Sequence, residues 1–155
     1  MVTPNMAEAV RLAGGWLFDR VMAGWDVTVL TADRADSRPL RILGARAAYL
    51  ESVLASPVRG PRPQALAVHA GLYGSDARVR RMALDALEGL VEVRLWGDGW
   101  PADLDDGAGS VRHRLSAAAR AFKAQALAAA AVPVDSREAI ETFRRGELLR
   151  SSTST

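Results

Sequence analysis

The chain has 155 residues, 49% of them hydrophobic and 25% charged, which is one domain's length with enough apolar mass to bury a core. It has no cysteine, which excludes disulfides, thiolate nucleophiles, iron–sulfur clusters and cysteine zinc sites together. Net charge is only +2 and Lys123 is the sole lysine among 20 cations, so the pI of about 9.6 reflects arginines that keep their protons more than a basic surface.

The Arg, Ala and Gly bias is what a GC-rich genome produces. No basic stretch followed by an apolar one opens the chain, and the longest apolar run, Ala126–Val134, is too short to span a bilayer. The expected setting is the reducing cytoplasm, away from the membrane.

Thr3-Pro4-Asn5 reads as a helix start. Met6, Val10, Ala13, Leu17 and Val21 follow at helical spacing, and Gly24 is a stop. Gly14-Gly15 in the middle lowers helix propensity by roughly 1 kcal/mol each, so a close packing contact or a bend is expected there. Asp26–Thr31 reads as a strand. Ser37-Arg38-Pro39 opens a short helix with Leu40 and Leu43, and Ala47–Glu51 is a weaker strand. Ser56–Pro63, with three prolines, is a connector.

Ala65–Ala70 is a nearly continuous apolar run, as in a strand covered on both faces. Ser75 or Asp76 caps the next helix, whose buried stripe is Val79, Ala83, Ala86, Leu87 and Leu90. Val91–Trp96 alternates like a half-exposed edge strand. Gly97–Gly109 is an acidic loop, and Val111–Ala131 reads as one long helix with Val111, Leu115, Ala118 and Phe122 inward. Asp135 and Glu138 resemble a capping box for a last helix, roughly 136–146, that buries Ile140 and Phe143. Ser151–Thr155 has nothing to bury and is expected to be a disordered tail.

Strands alternating with helices predict a three-layer α/β domain over residues 1–150, with helices on both faces of a short parallel sheet. Placing the two most apolar strands at the centre gives four strands in the order 2-1-3-4, a flavodoxin- or Rossmann-like half. Ligands then bind where the winding reverses, at the carboxyl ends of Val27–Thr31 and Ala65–Ala70. The residues brought to that rim are Thr31 and Asp33 on one side and His69, Gly71, Tyr73, Gly74 and Ser75 on the other.

Each candidate also has a plain structural reading. Gly71–Ser75 offers backbone amides to an anion, or is simply a capped strand–helix turn. It lacks the Lys-Ser/Thr of a phosphate loop, and no dinucleotide glycine fingerprint occurs. His69 suits a proton shuttle near pH 6.5, or a hydrogen-bonded core position. Asp33 suits a ribose hydroxyl, or a turn. His113 sits among arginines on a helix face. The aspartates of the acidic loop miss the calcium-loop spacing, so no metal and no cofactor is expected. Trp100 in that loop, with Arg112, Arg114, Arg120 and Lys123 on a stripe free of acids, reads as a partner-binding face or an ordinary wet one.

With no catalytic motif in view, the leading expectation is a non-catalytic regulatory module that binds a protein. Its four-stranded layout without a phosphate loop is similar to a degenerate RecA-like accessory of DNA repair or cell division, on architecture and no matching motif. Nucleic acid on the 112–123 face and a homo-oligomer are further options. The alternative is a small nucleotide- or phosphate-binding protein or enzyme using the cleft near Asp33, His69 and Tyr73.

Overall fold

The computed structural model describes residues 1–56, 62–99, 101, 109–134 and 139–147. The described residues hold seven strands and six helices, an α/β protein with mostly parallel strand pairings. The chain divides into two compact units, Met1–Gly60 with Arg112–Thr142, and Pro61–Val111 with Phe143–Thr155.

The first unit begins with a strand that periodicity could not reveal. β1 is only Val2–Thr3, both fully buried, and it lies parallel to β2 (Thr28–Thr31), with Val2 opposite Leu30 and Thr3 opposite Thr31. β3 (Arg46–Tyr49) runs parallel along the other edge of β2, pairing Thr28 with Arg46 and Thr31 with Tyr49. Asn5 caps α1 (Met6–Met22) by accepting from the Glu8 amide, and Met6, Val10, Ala13 and Leu17 are buried as their spacing requires. α2 (Arg38–Ile42) carries Pro39 in its first turn and buries Leu40. α3 (Leu50–Leu54) follows β3 directly.

The rest of this unit corrects the expected long helix. Residues 110–114 form the strand β6 (Ser110–Arg114), and α6 is confined to Ala117–Ala129. Ser116 stops any continuation of the helix backward, because it is an extended N-cap whose hydroxyl accepts from the Ala119 amide. The buried side of α6 is Ala119, Lys123, Ala126 and Leu127, while Phe122 is 39% exposed and stacks on Phe18 at 4.7 Å.

In the second unit, β4 (Ala65–His69) and β5 (Glu92–Trp96) are parallel in register, Ala65 with Glu92 through His69 with Trp96. β4 leads into α4 (Ala70–Ser75) and then α5 (Ala77–Glu88), whose N-cap is Asp76. β5 is no edge strand. β7 (Ile140–Arg145) pairs antiparallel on its other side, Arg94 with Arg145 and Leu95 with Arg144, and Trp96 is buried. The expected last helix is therefore a strand from Ile140 onward. Ile140, Thr142 and Arg144 are exposed while Glu141 and Phe143 are buried, a two-residue period that helical spacing cannot give. Leu90, expected in the core, is 94% exposed in a left-handed turn after α5.

The four-stranded order 2-1-3-4 is corrected by the same pairings. Both edges of β2 are occupied, by β1 and β3, so Val27–Thr31 and Ala65–Ala70 are not hydrogen-bonded neighbours.

Candidate functional site

At the carboxyl ends of β2 and β3 the first unit opens a pocket of about 300 Å³. Thr31, Asp33, Arg34 and Ala35 line it from the segment after β2, and Ala47, Ala48, Tyr49 and Ser52 from β3 and α3. The parallel register brings Thr31 beside Tyr49, and three alanines leave the space open. The Thr31 hydroxyl donates to the Asp33 carbonyl at 3.0 Å, fixing the turn that carries the acid. The Arg34 guanidinium sits 4.3 Å from the centroid of the Tyr49 ring. Asp33 Oδ1 is shut off from solvent and, among the described residues, accepts no hydrogen bond. An acceptor left in that state costs about 1–3 kcal/mol, which a ligand's N–H or O–H would recover.

The other residues of the expected cleft lie in the second unit. His69 ends β4 and caps α4, its Nδ1 accepting from the amides of Gly71 at 3.1 Å and Leu72 at 3.4 Å. Those amides, expected to hold an anion, therefore already serve the imidazole. With Nδ1 accepting, the neutral ring carries its proton on Nε2. The ring packs edge-on to Trp96 at 4.8 Å, and Gly97, at φ +83°, closes over Nε2, where a Cβ would lie 2.6 Å away. Tyr73 is 1% exposed and belongs to the core, and Gly74 and Ser75 complete α4. Asp76 caps α5, and its hydrogen bond from the Arg78 guanidinium holds its carboxyl below the usual range.

The basic stripe dissolves in a similar way. Arg112 and Arg114 stand exposed on β6 and Arg120 is exposed on α6, so no single helix face joins them. Lys123 is 5% exposed and donates to Glu141 Oε2 at 2.8 Å. Trp100 lies outside the described residues, as do Asp103, Asp105, Asp106 and the tail.

Sequence reasoning missed two clusters, both in the first unit. Asp19 on α1 accepts from His113 Nε2 at 2.8 Å, from the Ser116 hydroxyl at 2.6 Å and from the Ser116 amide at 3.2 Å. Partial burial pushes its carboxyl up, but the bonds from Ser116 and His113 outweigh that and hold it below its ordinary value. Glu141, 4% exposed, accepts from Lys123 and from the amides of Gly15 and Trp16. Burial pushes its carboxyl up, against the pull of the ammonium and the amides. Residues 94 and 125 positions apart make these bonds, and no local pattern announces them. Among the described residues, no three or more His, Cys, Asp or Glu side chains gather as metal ligands, and no helix is long and apolar enough to cross a membrane.

A mostly parallel α/β architecture with a pocket at its strand ends is the class these features define. No protein-family model and no curated protein matches the sequence. Solved structures do match in fold. A triple mutant of a deacetylase of the teicoplanin biosynthetic pathway aligns with TM-score 0.69 at 15% identity, over 97% of this chain and 98% of that one. The A40926 pseudoaglycone deacetylase Dbv21 aligns with TM-score 0.58 at 20% identity, over 82% and 78%. The zinc-inhibited form of teicoplanin deacetylase Orf2 aligns with TM-score 0.57 at 17% identity, over 82% and 81%. At these identities the likeness is one of fold. It nevertheless overturns the expectation of a non-catalytic, RecA-like interaction module, because the architecture is one that deacetylases use and the enzymatic alternative fits it better.

Proposed function

We propose that the protein is a small-molecule hydrolase of the deacetylase kind, acting on an amide-bearing polar substrate in the pocket at the ends of β2 and β3. The observation that carries this reading is Asp33 Oδ1, a buried carboxylate oxygen at the strand-end pocket without a hydrogen-bond partner among the described residues. Once substrate entry uncovers this oxygen at the pocket that Asp33 lines, the carboxylate serves as an acceptor for a substrate N–H or O–H, or takes a proton from the water that attacks the amide carbonyl. In that step the water oxygen bonds to the carbonyl carbon, the C–N bond breaks, and the proton passes to the departing amine. Arg34, at the mouth beside Tyr49, supplies positive charge for the oxygen on which negative charge develops. The fold likeness to deacetylases supports the choice of an amide over other polar groups.

The test is incubation of the protein with a panel of small N-acetyl compounds, reading acetate release. Release that disappears in Asp33→Asn, with unchanged circular dichroism, supports the reading. An absence of release across the panel, together with an absence of any thermal shift, contradicts it.

A further inference from the structure

Gly14-Gly15, unusual in the middle of a 17-residue helix, has a cause that the strand-end pocket does not supply. Amides in a helix interior ordinarily serve the carbonyl four residues back. In α1 the Gly15 amide also donates to Glu141 Oε2 at 3.0 Å and the Trp16 amide to Oε1 at 2.6 Å, while Lys123 Nζ donates to Oε2 at 2.8 Å. Both carboxylate oxygens are engaged, by three donors that carry one positive charge between them. The two glycines differ in what a side chain there would meet. A Cβ on Gly14 would lie 3.4 Å from Lys123 Cγ, so the lysine stem runs over the bare helix surface. A Cβ on Gly15 would strike Leu115 Cγ at 2.2 Å.

We infer that the middle of α1 and the Lys123 ammonium form a carboxylate receptor whose tethered ligand is Glu141, a latch that holds this residue in place within the first unit. The donors match a monocarboxylate in shape and charge, so the receptor is expected to accept a free one once the tether is cut. It is independent of the proposed hydrolase site, and its test does not read activity.

Glu141→Ala leaves the receptor unfilled and is expected to lower Tm by roughly 6–20 °C, the range for breaking a buried ion pair in a protein of this length. Sodium acetate or formate should then recover at least half of that loss, saturably, whereas sodium chloride at equal ionic strength should not. Wild type and the double variant Glu141→Ala/Lys123→Met should not respond. An equal response to chloride, or none to either carboxylate, overturns the receptor. Should Glu141→Ala fail to fold, amide hydrogen exchange decides the matter. Gly15 and Trp16 must exchange as slowly as the core amides of α1 in wild type and faster in Glu141→Gln, and rapid exchange in wild type overturns the proposal.

Discussion

Replacing either of the two adjacent glycines of α1 by alanine should move stability in opposite directions. Alanine is worth about 1 kcal/mol over glycine in a helix interior. At Gly14 nothing opposes that gain, because the nearest atoms to a new Cβ, Lys123 Cγ at 3.4 Å and Leu43 Cδ1 at 3.5 Å, are in ordinary contact. At Gly15 the Cβ would lie 2.2, 2.3 and 3.0 Å from three atoms of Leu115, a side chain only 7% exposed. Overpacking of this kind costs about 1–3 kcal/mol, and turning Leu115 outward instead gives up most of the roughly 1.5–3 kcal/mol its burial contributes. Subtracting the helix gain leaves Gly15→Ala up to about 2 kcal/mol less stable, a Tm fall of up to roughly 8 °C at 2–4 °C per kcal/mol. Gly14→Ala should rise by about 2–4 °C on the same scale. Urea titration and differential scanning calorimetry of both variants make the comparison. Two shifts of the same sign would refute the packing argument.

Three further outcomes follow from the same geometry. The Asp19 carboxyl is held below its ordinary 3.8 by Ser116 and His113, so the unfolded chain takes up the proton first as pH falls. Its stabilisation is complete above about pH 4 and disappears on acidification, and Asp19→Asn should flatten the acid limb of a Tm-versus-pH curve below that point. Asp76→Ala removes the cap of α5 and should destabilise by about 1 kcal/mol in urea titration, with little added by the exposed Arg78 pair. Phe143→Ala empties a position 1% exposed and should cost about 3–5 kcal/mol by the same titration, whereas Ile140→Ala, at 40% exposure, should cost under half of that.

The sequence was most legible where a single helix or strand decided the outcome. The stripe of Met6, Val10, Ala13 and Leu17 in α1 follows from spacing, and the start of α5 after Asp76 from its capping residue. β1 escaped because two residues carry no period, and its absence from the reading placed the two apolar strands together. The stretch 111–131 hides a strand and a cap behind alanines, and helical spacing alone puts Lys123 on the exposed polar face although it is buried. Ile140–Arg145 has the same composition as a short helix, and only its pairing with β5 selects the two-residue period. Thr31 and Asp33 line the pocket at a strand end, where the general rule looks for ligands, but Tyr49 and Ser52 join them only because β3 lies beside β2. Asp19, His113 and Glu141 act through long-range contacts, to which local patterns are blind.

The most direct measurement is an amide chemical-shift titration of isotope-labelled protein with whichever N-acetyl compounds release acetate or raise Tm. Perturbations are expected to concentrate at Thr31, Asp33, Arg34, Tyr49 and Ser52 and to vanish in Asp33→Asn. Saturable shifts centred elsewhere, with those five residues unmoved, would contradict it.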